Sequence, residues 1–241
     1  MQVERIVSLV PSLTELVCGV GLEHKLVGCT KFCTDPPHLR HIKTIVGGTK
    51  NVYLERIYAL NPDLILAAKE ENTQAQVEEL SKRYPTYVTD IKNMPDMAGV
   101  LQKLLDAGGN TTTIEALLNL ILQSRPITLN PVRALYLIWK EPYMSVGGNT
   151  YISSMLEAGG FMNVLANAAR YPVLELEMVK ELAPDVILLS SEPFPFKESH
   201  QQTIQLQTGK PCRLVDGRWF SWYDSRIESH LNNINQLADS F

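Results

Sequence analysis

The sequence predicts an α/β protein built as two similar lobes with largely parallel sheets. Three observations carry this: an internal duplication, the order strand–helix–helix–strand in both halves, and strands that read as unbroken apolar runs. Residues 54–70 and 176–192 align at an offset of 122 with eight of 17 positions identical. Such self-similarity marks one structural unit used twice. In the first copy Leu54, Ile57, Tyr58 and Leu60 have helical spacing. Asn61-Pro62 ends that helix, because a residue before proline avoids the helical region. Asp63 turns the chain, and Leu64–Ala68 is apolar throughout, as in a strand covered on both faces. In the second copy Pro184-Asp185 makes the turn and Val186–Leu189 is the strand.

A similar unit precedes each copy. Arg5–Val10 reads as a strand, Pro11-Ser12 as a turn, and Leu13–Val20 as a helix ending at Gly21. Arg133–Trp139 is the corresponding strand, followed by a helix over Asn149–Ala158 that stops at Gly159-Gly160. Between the halves lie helices over Pro95–Ala107, with Asp96 at its start, and Thr111–Gln123, closed before Pro126. Leu117, Leu118, Ile121 and Leu122 give the latter an apolar stripe, and at 1.5 Å per residue it spans roughly 20 Å. Residues 1–94 are thus expected to form the N-terminal lobe, 95–126 a helical linker containing an inter-lobe helix, and 127–241 the C-terminal lobe. A helical joint predicts little hinge motion, and no Gly/Ser run or charge block suggests a loose one.

Composition narrows the function. A chain of 241 residues with 45% apolar residues can bury a core without staples. Its net charge of −4 provides no basic surface for nucleic acid. No run approaches the roughly 18 apolar residues of a membrane helix. Met1–Val10 reads as the first strand rather than a leader, so either Met1 is the natural start and the protein is cytoplasmic, or a leader has been removed. Cys18, Cys29, Cys33 and Cys212 lack Cys-x-x-Cys spacing; free buried thiols are expected, with a disulfide the alternative.

The motifs of common chemistries are missing. Gly19, Gly21 and Gly28 would need a glycine where His24 stands to make a dinucleotide loop. His38 and His41, with Cys33 near, lack further zinc ligands at sensible spacing, and His24, His200 and His230 are badly placed to supply them. No Gly-x-Ser-x-Gly, His-Glu-x-x-His or phosphate loop occurs, and Ser8 and Ser12 have no evident base. No enzymatic role, catalytic residue or metal site is expected.

Ser8–Leu16, Val27-Gly28, Asp35–Pro37, Leu54–Ile57, Asn61–Ile65, Pro184–Ile187 and Trp219-Phe220 leading to Ser225-Arg226 resemble the class III periplasmic binding proteins, the helical-backbone metal-receptor superfamily. The similarity spans nearly the whole chain, and its nearest branch is the vitamin B12-binding proteins of cobalamin ABC importers. It implies two Rossmann-like lobes joined by an inter-lobe helix, a ligand held in the cleft between them, and a monomer that docks onto a dimeric permease without entering the membrane. The docking glutamates of that family match Glu55 and Glu177, which are also equivalent members of the repeat. Two equivalent carboxylates suit a partner with two-fold symmetry. On sequence alone, a glutamate in a first helical turn is accounted for by the helix dipole, at about 0.3–1 kcal/mol.

For the ligand, the resemblance implies aromatic groups against a corrin. Phe32 stands where the branch has a tyrosine and Trp219 where it has a tryptophan, whereas Thr49 replaces another tryptophan. Trp219–Tyr223 holds four aromatic residues in five, so Trp222 and Tyr223 can compensate. Pro11 and Ser12 follow the first strand and are expected to face the ligand. The second lobe is expected to contribute Tyr143, within Lys140–Val146, and Arg170 beside Tyr171. The inter-lobe helix is shorter than usual for the family, broken at Gly108-Gly109. The alternatives are a ferric-siderophore receptor, using Lys31, Lys140, Arg170 and Arg226 for an anionic ligand, and a haem receptor, for which Phe32 lacks a donor atom unless Tyr143 or Tyr223 replaces it. If no leader exists, a cytoplasmic corrinoid-handling or sensing protein on the same fold is the third.

Overall fold

The computed structural model describes residues 2–123 and 130–241; Pro126 and the expected 126/127 boundary lie outside them. It contains two compact units, one of residues 1–91, 95–122 and 223–226 and the other of residues 92–94, 123–222 and 227–241.

In the first unit β1 (Ile6–Ser8), β2 (Leu26–Cys29), β3 (Thr44–Ile45), β4 (Leu64–Ala68) and β5 (Thr86–Thr89) form one all-parallel sheet in the order β3-β2-β1-β4-β5. Helices α1 (Pro11–Gly19), α2 (Leu39–Ile42), α3 (Leu54–Leu60) and α4 (Gln74–Ser81) connect the strands, and α5 (Met97–Asp106) and α6 (Thr111–Gln123) follow. Every residue of β4 is buried, as its unbroken apolar run requires. Val7, Leu9, Ile57, Ile65, Ala67 and Leu80 share one core. The α6 stripe is Ile114, Leu117 and Ile121, whereas Leu122, expected on it, is 62% exposed. Positions 114, 117 and 121 repeat on one helix face, and 122 falls beside it.

The expected turn at Pro11-Ser12 is instead the first turn of α1. Proline sits at N1, where its fixed φ suits a helix and its missing N–H is not needed.

In the second unit β6 (Val132–Trp139) lies beside β9 (Val186–Ser190), and β9 beside β10 (Cys212–Val215), all parallel. Along its other edge β6 pairs with β8 (Phe161–Asn163) in parallel and β7 (Met144–Ser145) antiparallel. The helices are α7 (Tyr151–Ala158), α8 (Val179–Leu182), α9 (Glu198–Thr208), α10 (Arg218–Ser221) and α11 (Ile227–Ala238). Helix α7 starts after Thr150, whose side chain accepts from the Ser153 N–H, two residues later than its sequence suggested.

The duplication extends to individual hydrogen bonds. Asp63 accepts from the backbone N–H groups of Glu4 and Arg5 at 2.9 Å each, and its own N–H donates to the Arg5 carbonyl at 2.8 Å. In the second copy Asp185 accepts from the Arg133 N–H at 2.9 Å and returns a 2.8 Å bond to the Arg133 carbonyl. Arg5 donates to the Leu60 carbonyl at 2.7 Å, and Arg133 to those of Leu182 and Ala183 at 2.8 and 3.0 Å. In each copy the arginine holds the carbonyls at the end of a helix while the aspartate caps the start of the sheet.

The helices end alike too: Asn61 has φ 42° and Ala183 has φ 45°. Asparagine tolerates this left-handed conformation and alanine does not, at a cost of roughly 1 kcal/mol. Ala183 is exposed and its N–H is already bonded to Val179, so Ala183→Asn is expected to stabilise the second unit by about 0.5–1 kcal/mol, read as a higher urea midpoint.

Candidate functional site

Parallel strands place all their carboxyl ends on one edge of a sheet, and ligands of open α/β sheets bind in the loops there. In the first unit the strand ends are followed by Pro11 and Ser12 at the start of α1 after β1, and by loops carrying Phe32 after β2, Thr49 after β3, residues 69–72 after β4 and Asp90 after β5.

Phe32 is the most prominent. It is 51% exposed, with the Lys31 ammonium 5.1 Å from its ring centre, and it lies against Gly48, where a Cβ would stand 3.2 Å from a ring carbon. An exposed ring resting on glycine backbone offers a flat apolar face. Pro11 is partly buried, and Ser12 and Thr49 are buried. The Tyr223 hydroxyl is hydrogen-bonded to the side chains of Ser12 and Thr89, and burial pushes its phenol well above the usual range.

Arg226 is held by carboxylates. It donates to Asp224 at 2.8 and 3.2 Å and to Asp35, and it lies 3.6 Å from Glu15. Glu15 in turn accepts from the N–H and the hydroxyl of Ser225 at 2.8 Å each. These bonds fix Tyr223–Arg226 within the first unit, and Gly19 leaves the space that Ser225 fills, since a Cβ there would be 2.0 Å from the Ser225 hydroxyl oxygen. Burial, and the Asp224 carboxylate next, raise the Glu15 pKa against the opposing pull of Ser225 and Arg226. A raised folded pKa means the native state binds the proton more tightly than the unfolded chain. Ionisation of Glu15 therefore weakens the fold as pH rises from the ordinary carboxylate range through the raised value. Glu15→Gln keeps an acceptor for Ser225 without the charge. It is expected to match or exceed the parent protein at pH 8 by up to about 1 kcal/mol, the advantage shrinking towards pH 5 in urea titrations.

In the second unit the corresponding loops are residues 140–143 after β6, Ser191 and Glu192 after β9, and 216–222 after β10. Trp219 sits in the first turn of α10 and is partly exposed. Trp222 is 9% exposed and its indole N–H donates to Glu192 at 2.9 Å; the Ser221 hydroxyl donates to the same oxygen at 2.7 Å. Glu192 thus fixes the aromatic segment. It escaped the sequence reading, although it stands 122 residues after Glu70 as the last identity of the repeat.

Tyr143 is partly buried against the core of the second unit and borders a surface groove of about 440 Å³ with Glu175, Leu176, Glu177, Lys180, Gln207 and Thr208. Arg170 has φ 54°, and its N–H donates to the Asn149 side chain at 2.7 Å. Glu55 and Glu177 are both exposed, each in the first turn of the helical segment of its repeat copy; the second copy's segment begins as a 3-10 turn over Leu176–Met178.

His38 pairs with Glu23 at 2.7 Å. Among the described residues no group of three His, Cys, Asp or Glu side chains could hold a metal ion, and no helix is long and apolar enough to cross a membrane. The four cysteines are free thiols, three of them buried.

The periplasmic binding protein family matches residues 6–99. The vitamin B12-binding protein of Vibrio parahaemolyticus is 28% identical over 98% of this chain and 81% of its own. The chain is similar to the periplasmic binding proteins over residues 6–99. Its fold agrees. The periplasmic vitamin B12-binding protein of Vibrio cholerae superimposes with a TM-score of 0.80 at 21% identity, covering 99% of this chain and 97% of that one. A periplasmic heme-binding protein from Pseudomonas aeruginosa gives 0.80 at 19%, covering 98% and 92%. All three of these proteins are binding proteins by name, and the likeness to each spans nearly the whole of this chain.

Proposed function

We propose that the protein is the substrate-binding component of an ABC importer, taking cobalamin or a related corrinoid and docking to a permease dimer. The observation that carries the reading is the pair of strand-end aromatic groups, Phe32 in one unit and Trp219 in the other, in a chain with a B12-binding relative along nearly its full length. Both offer ring faces at loops where an α/β sheet takes a ligand. Pro11, Tyr143 and Arg170 complete the ligand surface, while Ser12, Thr49, Trp222, Tyr223 and Arg226, buried or bonded to neighbours, hold it in shape. The protein works in the periplasm or at the cell surface, as a monomer.

Calorimetry with cyanocobalamin, cobinamide, haemin and ferric siderophores tests the ligand. Dissociation constants below about 1 μM for a corrinoid are expected. Tight binding of haemin or a siderophore with none of either corrinoid overturns the choice of ligand.

Glu55 and Glu177 are the docking residues: exposed, and equivalent in the repeat. Reversing both charges with Glu55→Arg and Glu177→Arg is expected to abolish permease binding and leave cyanocobalamin affinity within twofold. An equal fall in ligand affinity would place them on the ligand surface instead.

A further inference from the structure

One side chain joins three strand ends of the first unit. Asn72, four residues past the end of β4, is 9% exposed. Its carboxamide oxygen accepts from the Ala68 N–H at 2.9 Å. Its nitrogen donates to the carbonyls of Thr49 at 2.8 Å and Leu9 at 3.3 Å. Its own backbone N–H returns a 2.9 Å bond to the Ala68 carbonyl, so its position relative to β4 is fixed from both ends. Leu9 leads from β1 into Pro11, Thr49 follows β3, and Ala68 ends β4. The link runs one step further. The Lys31 N–H donates to the Gly47 carbonyl at 2.8 Å and the Phe32 ring lies on Gly48, so the loop after β2 rests on the loop that Asn72 holds.

The task defines the residue type. One group must accept from an N–H and donate to two carbonyls at once, which an amide does. An aspartate in its place can only accept, and turns a charge towards two carbonyl oxygens. A leucine leaves three buried backbone groups short of a partner, a condition that buried polar groups avoid.

We propose that Asn72 is the positioning residue of the ligand surface in the first unit, setting the spacing of the segments that carry Pro11, Phe32 and Thr49. The inference rests on the corrinoid reading for its ligand but not for its geometry. The hydrogen bonds of the Asn72 side chain go to backbone groups, so it acts through the loops.

The test compares Asn72→Asp, Asn72→Ala and, as a control of stability alone, Leu80→Ala, which opens the buried core beneath α4. At pH 8 both Asn72 variants are expected to bind cyanocobalamin at least tenfold more weakly, with Leu80→Ala within twofold of the parent below its unfolding transition. Asn72→Asp has a second signature. Burial and the two facing carbonyls raise its carboxyl pKa, and the protonated acid regains one donor. Its affinity is therefore expected to recover as pH falls towards 5, while Asn72→Ala stays weak. In ligand-free protein, amide hydrogen exchange of residues 9–12 and 47–52 is expected to accelerate at least tenfold in Asn72→Ala.

Unchanged affinity and unchanged exchange overturn the proposal. So does a loss that Leu80→Ala reproduces and that shows no pH recovery in Asn72→Asp, because the role is then one of stability alone. If the parent protein binds no cyanocobalamin, the corrinoid reading fails and exchange decides. Protection lost at both loops keeps the positioning role, and protection retained ends it.

Discussion

Replacing Gly147 with valine is expected to lower the unfolding midpoint of the second unit by about 8–16 °C. The reason is space rather than backbone conformation. A Cβ at position 147 would stand 2.1 Å from the Ala168 carbonyl oxygen and 2.7 Å from its carbon, and one at Gly148 would stand 2.1 Å from the Ala166 oxygen. These are backbone atoms, so no rotamer change relieves the collision. Nor can the segments separate without loss. The Gly147 N–H donates to the Arg170 carbonyl at 2.7 Å, that of Gly148 to Ala168 at 3.2 Å and that of Ser145 to Pro172 at 3.0 Å. Opening the seam by an ångström or more breaks these bonds, and the N–H groups of the buried Ser145 and Gly147 are left unpaired at about 1–3 kcal/mol each. A total near 4 kcal/mol is a large share of the usual 5–15 kcal/mol of a folded domain. All three tryptophans, Trp139, Trp219 and Trp222, lie in this unit, so indole fluorescence follows its unfolding selectively. A midpoint within 2 °C of the parent would show that the seam yields, and that the two glycines are not there for close approach.

The seam also shows what the sequence could and could not say. Where structure follows from local chemistry, the residues themselves predict it. Leu54–Leu60 and Leu64–Ala68 have the bounds that periodicity and proline punctuation predict, and α6 begins at Thr111 as expected. These segments are amphipathic or wholly apolar, and their ends are set by residues within them or next to them. The start of α1 lies two residues before the expected Leu13, because Pro11 suits both a turn and an N1 position. In the second copy of the repeat the helix over 176–182 begins as a 3-10 turn, although its sequence repeats the first. Gly147 and Gly148 gave no local signal, since their requirement comes from residues about 20 positions away.

The same division applies to the site. Parallel strands and a duplicated unit are enough to bring Pro11, Ser12, Phe32 and Thr49 to one sheet edge and Trp219 to another. Which of these side chains remain available depends on partners far off in sequence. Arg226 is surrounded by Glu15, Asp35 and Asp224, two of them about 200 residues away. Tyr223 spends its hydroxyl on Ser12 and Thr89. An arginine or a tyrosine near the chain end reads as a ligand group until the carboxylates and hydroxyls around it are known. Glu192 and Asn72 are the converse. A polar residue just after a strand reads as surface, and only the fold reveals that its hydrogen bonds hold the loops.

The second large effect separates two tryptophans that the sequence treats alike. Trp219→Ala is expected to weaken cyanocobalamin binding by 30-fold or more, about 2 kcal/mol, as for a central aromatic contact, and to change stability by no more than about 1 kcal/mol. Its ring is partly exposed in the first turn of α10, so removing it empties little of the core. Trp222→Ala is expected to lower the stability of the second unit by about 3–5 kcal/mol, as for a buried aromatic residue. It also takes one of two donors from the Glu192 oxygen. Trp222→Phe refines the point: it restores most of the packing but not the N–H, and should retain a deficit near 1 kcal/mol. Calorimetry with cyanocobalamin and fluorescence-detected urea unfolding on the three variants read the two axes independently. Wild-type affinity in Trp219→Ala would take that ring off the ligand surface. Equal losses of affinity in Trp219→Ala and in Trp222→Phe would show that the ligand senses the geometry of the segment that Glu192 holds, more than the face of any one ring.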